Sequence, residues 1–277
     1  MKHNKYIFLS SISLIIFLAL TFYPTLAFGE KDTRGQDLPE VEGVYDVPGH
    51  PKLKLRVFVY KAKATPGVTT PPSLTCSLAD DNTSTSTPAW TGWKLPANWT
   101  YSLNPSSVPA TVGGANLDTM ARDAFDRWTT ASDGKVNFSQ NVNYTDTTRA
   151  ARDYQNIIAW GRTSGSALAV TYTWYYPSTG EVVENDTIMN KNFTWYWSDP
   201  ASWSSNPNNT DGATCAYQGV YDAQDILTHE LGHWFGLDDH YTADYTNNTM
   251  YGYGSKTETK KDTLTAGDVA GIVAIYR

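Results

Sequence analysis

The chain has 277 residues, 40% of them hydrophobic, and a formal net charge of −7. Its length and apolar content suit one large domain, or a domain with a leading segment, around a real core. The acidic balance argues against nucleic acid as a partner, because phosphate binding calls for a basic face.

Met1 to Lys5 is short and basic, Tyr6 to Phe22 is apolar and uncharged, and Ala27 and Gly29 are small. This is the layout of a secretory signal over residues 1–29, cut after Gly29. The expected location is therefore extracellular. The alternative is an uncleaved segment that anchors the protein at the outer face of the membrane, the one case in which a membrane is a partner. Nothing later is long and apolar enough to span a bilayer.

Residues 30–75 read as a lead-in or pro-segment with a linker. Leu53, Leu55, Val57 and Val59 alternate with Lys54, Arg56 and Phe58, the pattern of a strand. That strand belongs either to a pro-region or to the mature fold as an extra element. His50 could mask a metal, although a lone loop histidine is usually just solvated. Thr65 to Pro72, with three prolines and three threonines, reads as a linker. Cys76 and Cys215 are the two cysteines. In an exported chain an isolated pair most simply forms one disulfide.

From residue 76 onward the pattern is mixed. Trp93 to Leu103 predicts a strand, with Lys94-Leu95 leading into Trp99 to Leu103. Met120, Ala124, Phe125 and Trp128 fall at helical spacing after a cap at Asn116 or Asp118. Val136 to Phe138 and Ile157 to Trp160 predict two more strands. Leu168 to Tyr176 and Glu181 to Met189, joined by Pro177-Ser178-Thr179-Gly180, predict a hairpin. Its first strand, at an edge, could pair with an extended peptide through Val170, Tyr172 and Trp174. Eight Asn-x-Ser/Thr sequons begin at Asn82, Asn98, Asn137, Asn143, Asn185, Asn192, Asn208 and Asn247. A helix is predicted from about Tyr221, with Asp222 as its N-cap, and a last one over Thr265 to Tyr276.

The chemistry concentrates in His229-Glu230-Leu231-Gly232-His233-Trp234-Phe235-Gly236-Leu237-Asp238-Asp239-His240. Two histidines four apart stand on one face of a helix and can share a zinc ion, with the intervening glutamate as a base. Gly236 lets the helix stop, so that Asp239 or His240 can return as a third ligand.

This run resembles the zinc signature of the metzincins, His-Glu-x-x-His-x-x-Gly-x-x-His/Asp. Gly236 stands seven after His229, and Asp239 stands ten after it. Most metzincins carry His at that place; a minority, including the snapalysin-like enzymes, carry Asp. Thr249-Met250-Tyr251-Gly252 resembles the Met-turn, in which Met250 would support the site without binding metal. Leu264 to Tyr276 resembles the last helix of matrixin-type domains. The likeness covers about residues 76–277. Gly252 stands where an astacin-type tyrosine ligand would, and no matrixin cysteine-switch segment surrounds Cys76.

The resemblance implies an α+β metzincin-like fold, with a twisted mixed sheet of about five strands and three main helices. It implies a catalytic Zn2+ held by His229, His233 and Asp239, with His240 as the alternative third ligand, and it allows a structural Ca2+. It implies hydrolysis of protein or peptide substrates with Glu230 as general base. Two other readings are weaker. A gluzincin would need Glu258 as a ligand, and a non-catalytic zinc-stabilised surface protein would have no use for Glu230.

Overall fold

The computed structural model describes residues 38–64, 72–78, 83–199 and 214–277. These lie within one compact unit that spans residues 32–277. The signal layout, most of the Thr65–Pro72 linker and the sequons at Asn82 and Asn208 lie outside the described residues.

Five strands form the expected mixed sheet: β4 (Asn98–Leu103), β5 (Asn137–Gln140), β6 (Ile157–Gly161), β7 (Ala167–Tyr176) and β8 (Glu181–Asn190). Four run parallel, and β7 returns antiparallel to β8. Gly180 takes a φ of +70° in the β7–β8 turn, a conformation that costs glycine little. Three further strands extend this sheet: β1 (Gly43–Val47), β2 (His50–Ala62) and β12 (Tyr253–Gly254). The order is β1-β2-β7-β8-β6-β4-β5, with β12 alongside the end of β2.

The strand over residues 53–59 is therefore β2, and it pairs antiparallel with β7 along its length. This corrects the expectation that β7 is an edge strand. Its open side is already taken by a strand of the same chain. Val170, Tyr172 and Trp174 point to the sheet face away from the helices, where they pack with Leu53, Leu55 and Val57. The opposite face of β7, with Ala169 and Thr171, meets the helices.

Three α-helices occur among the described residues: α1 (Leu117–Ala131), α2 (Ala223–Trp234) and α3 (Ala266–Tyr276). Among the described residues none is long and apolar enough to cross a membrane. Met120, Ala124, Phe125 and Trp128 are fully buried against the sheet and α2. The Trp128 indole N–H donates to the Thr228 carbonyl (2.8 Å), which fixes α1 against α2. Asn185 is also fully buried and donates to Thr173, so this sequon is closed in the folded chain. Cys76 and Cys215 form a disulfide between β3 (Leu74–Leu78) and β10 (Thr214–Tyr217), a separate small sheet on the approach to α2.

α3 is anchored by a buried carboxylate. Thr265 and Asp268 form a capping box, and Asp268 reaches beyond it. It accepts from Thr265 N–H (3.0 Å), Thr265 Oγ1 (2.7 Å), Asn248 Nδ2 (3.0 Å) and Thr249 N–H (2.9 Å). The turn that carries Met250 is thereby tied to the last helix. Asp268→Ala would leave several buried donors unpaired, so unfolding in urea is expected to show a loss of about 3 kcal/mol or more. A loss under about 1 kcal/mol would mean that those donors find other partners.

Candidate metal centre

α2 starts and stops for local reasons. The Asp222 side chain caps it by accepting from Gln224 N–H (2.9 Å) and Asp225 N–H (3.0 Å). At the other end Gly236 takes a φ of +101°. Its N–H reaches the His233 carbonyl (3.0 Å), and the Leu237 N–H reaches the Gly232 carbonyl (3.1 Å). This is a Schellman closure, which satisfies the last carbonyls of a helix. All twelve residues of α2 are buried, so the helix is sandwiched between the sheet and the other helices.

The closure also positions His233. His233 Nδ1 lies 2.9 Å from the Leu237 carbonyl, and His229 Nδ1 lies 2.6 Å from the Thr249 carbonyl. A carbonyl oxygen only accepts, so each Nδ1 must carry the proton and each Nε2 a lone pair. Both rings are fully buried. Burial holds them neutral, lowering their pKa values to about 3 for His229 and about 4 for His233.

The chain then swings back. Asp239 brings its carboxylate to the histidines, with Oδ1 3.2 Å from His229 Nε2 and Oδ2 3.8 Å from His233 Nε2. One ligand atom from each of the three residues lies within 4.8 Å of the others. A tetrahedral ion with bonds of ~2.0–2.1 Å holds its ligand atoms about 3.3 Å apart. His229 Nε2, His233 Nε2, Asp239 Oδ1 and Glu230 Oε1 are buried with no hydrogen-bond partner in the protein. Such a set is costly without a cation and suits zinc in donor type, spacing and protonation. Burial pushes the Asp239 carboxyl up to about 6 and that of Glu230 well above its ordinary range.

His240 goes elsewhere. Its Nε2 accepts from the Ala89 N–H (2.7 Å), and its ring stacks on Tyr245 at 4.0 Å. Among the described residues no second such group of His, Cys, Asp and Glu converges, so the calcium expectation finds no matching cluster. Glu258 is engaged by Lys261 (2.7 Å) and Lys260 (3.4 Å). His50 lies against Arg152 (2.9 Å).

Three supports escaped the sequence reading. Thr171 donates to Glu230 Oε2 (2.5 Å) and lies 2.6 Å from Thr187 Oγ1, which accepts from the Trp234 indole N–H (3.0 Å). The indole can only donate, so the hydroxyls of Thr187 and then Thr171 point in series towards the carboxylate. Gly232 is required because a Cβ there would collide with Met250 Sδ and with the Trp128 ring. Tyr241 donates to Asp239 Oδ2 at a long 3.3 Å and to Glu42 at 2.8 Å. Only the last has a signal in the sequence, a hydroxyl two residues beyond a candidate ligand.

Two imidazoles and a carboxylate around one point, with a glutamate beside them on the same helix, define the class of zinc-dependent hydrolase. The family model for matrixins, peptidase family M10, matches residues 92–277. The chain belongs to the matrixin family of zinc-dependent endopeptidases. No curated protein matches the chain.

The choice between neighbouring ligands can be measured directly. After dialysis against buffered zinc, Asp239→Ala is expected to weaken metal affinity more than about 100-fold, while His240→Ala retains one ion per chain. The opposite result, by elemental analysis, would move the third ligand to His240.

Proposed function

We propose that the protein is a secreted zinc endopeptidase, with the metal held by His229, His233 and Asp239 and with Glu230 as general base. The observation that carries this reading is the convergence of His229, His233 and Asp239 at one place, each with a buried, unpartnered ligand atom. The signal layout of residues 1–29 and the Cys76–Cys215 disulfide support export to an oxidising compartment.

A bound zinc ion supplies Lewis-acid polarisation of the scissile carbonyl and acidifies the attacking water. The residues divide the remaining work. Glu230 has one oxygen fixed by Thr171 and the other free of protein partners. The free oxygen takes the proton of the attacking water and returns it to the leaving amine. Burial raises the proton affinity of Glu230, and the Thr171 hydroxyl restrains that rise. A base that must first take and then release a proton benefits from this balance. His229 and His233 stay neutral, as ligands must. Met250, fully buried beneath Gly232, fills the floor under the helix.

Glu230→Gln preserves shape and removes the base. In preparations whose unsubstituted counterpart cleaves casein, the variant is expected to keep its zinc and to lose turnover by about 10²-fold to 10⁴-fold. Undiminished cleavage would overturn the role given to Glu230.

A further inference from the structure

β7 and β8 meet α2 at two threonines. Thr171 and Thr187 stand directly opposite each other in the β7–β8 ladder, and both are fully buried. Valine carries a methyl group where threonine has its hydroxyl and would suit a closed strand position as well. A buried hydroxyl costs free energy unless it is hydrogen-bonded, so two at one spot call for a reason. Their partners supply it. Thr171 Oγ1 lies 2.5 Å from Glu230 Oε2, and the two hydroxyl oxygens lie 2.6 Å apart. Thr187 Oγ1 in turn lies 3.0 Å from the Trp234 indole nitrogen. Glu230 and Trp234 stand one turn apart on α2, so a single stretch of helix holds both ends of the chain. Trp234 is itself fully buried and packs against Phe125 of α1, with ring centroids 5.5 Å apart.

A threonine pair can serve merely to tie two strands together. The two ends of this chain give it a direction as well. An indole N–H only donates and a carboxylate only accepts. Each hydroxyl between them has one proton to give, so one arrangement satisfies every link. The indole donates to Thr187, Thr187 to Thr171, and Thr171 to Glu230. All four side chains are closed to solvent, so water does not compete for these bonds.

The direction bears on which carboxylate oxygen can take a proton. A proton on Oε2 would have to point at Thr171, and the Thr171 proton would then turn to Thr187. Thr187 would receive two donors, and its own proton would lose the partner it has now, at the cost of an unmade buried hydrogen bond. A proton on Oε1 disturbs none of these links, because Oε1 has no hydrogen-bond partner among the described residues.

We infer that Thr187 and Trp234 are positioning residues for the general base. Acting through Thr171, they reserve Oε2 as an acceptor and direct the proton of the attacking water to Oε1, from which it passes to the leaving amine. This rests on the hydrolytic reading of the same site.

The test compares Thr187→Val, which keeps the shape and removes the hydroxyl, with Thr187→Ser, which keeps the hydroxyl. Both are measured in preparations whose unsubstituted counterpart cleaves a quenched peptide. Thr187→Val is expected to lower kcat about tenfold or more with KM and zinc content unchanged, and Thr187→Ser to recover most of the loss. Trp234→Phe, which removes the donor and leaves both strands intact, should lose kcat in the same way, so the result does not depend on one substituted core. In a Glu230→Gln background Thr187→Val should lower the residual rate by less than about twofold, since the residue it acts through is gone. A further measurement needs neither metal nor turnover. In the zinc-free protein the NMR resonance of the Trp234 indole proton, identified by its absence in Trp234→Phe, should move upfield in Thr187→Val and stay near its place in Thr187→Ser. A kcat within about twofold of the unsubstituted value in Thr187→Val, or an equal fractional loss with and without Glu230, would overturn the inference. So would an indole proton that does not move. An indole proton that moves, in a protein whose zinc-loaded form hydrolyses no peptide, would instead sink the hydrolytic reading and leave the hydrogen-bonded chain standing.

Discussion

Each histidine of α2 has its Nδ1 proton committed to a main-chain carbonyl, and much of the architecture serves to put those two carbonyls in place. One, from Leu237, is delivered by the Schellman closure, which needs a residue with positive φ at Gly236. The other, from Thr249, is delivered by a turn that the buried Asp268 holds from α3. The His240 N–H then donates to the Met250 carbonyl (3.1 Å), which fastens the segment bearing Asp239 to the same turn. The cluster of His229, His233 and Asp239 is thus held by the end of α2, by the turn at Met250 and, through that turn, by α3. This explains why a carboxylate as remote in sequence as Asp268 belongs to the site although it touches no ligand atom.

What could be read from the sequence followed from local rules. The cap at Asp222, the stop at Gly236, the face shared by His229 and His233 and the stripe on α1 all depend on neighbours a few residues away. The third ligand was half legible. Spacing favoured Asp239, but two adjacent residues differ in direction, and only the bridge to Met250 settles which one turns inward. The substrate strand shows a different limit. Residues 167–175 of β7 are buried on both faces, so the alternation of Val170, Tyr172 and Trp174 with Thr171 and Thr173 does not say which side meets the helices. Gly232, Thr171 and Thr187 owe their roles to partners far away in the chain, which no local pattern reveals. The alternation of residues 53–59 marked a strand correctly and gave no hint of its neighbour.

The neighbour matters because of a conflict inherent in this sheet. β7 is ten residues long, and as a bare edge it would expose a ladder of unpaired donors and acceptors, a template for unwanted pairing. The same bare edge is what an extended substrate needs. β2 resolves the conflict by pairing with β7 along its length. Its two faces bury Leu53, Leu55 and Val57 on one side and Phe58 and Tyr60 on the other, each worth roughly 1.5–3 kcal/mol as an upper bound. A competing strand would have to match both the main-chain pairing and this burial on two faces, which is why β7 is closed to unwanted pairing while β2 is in place.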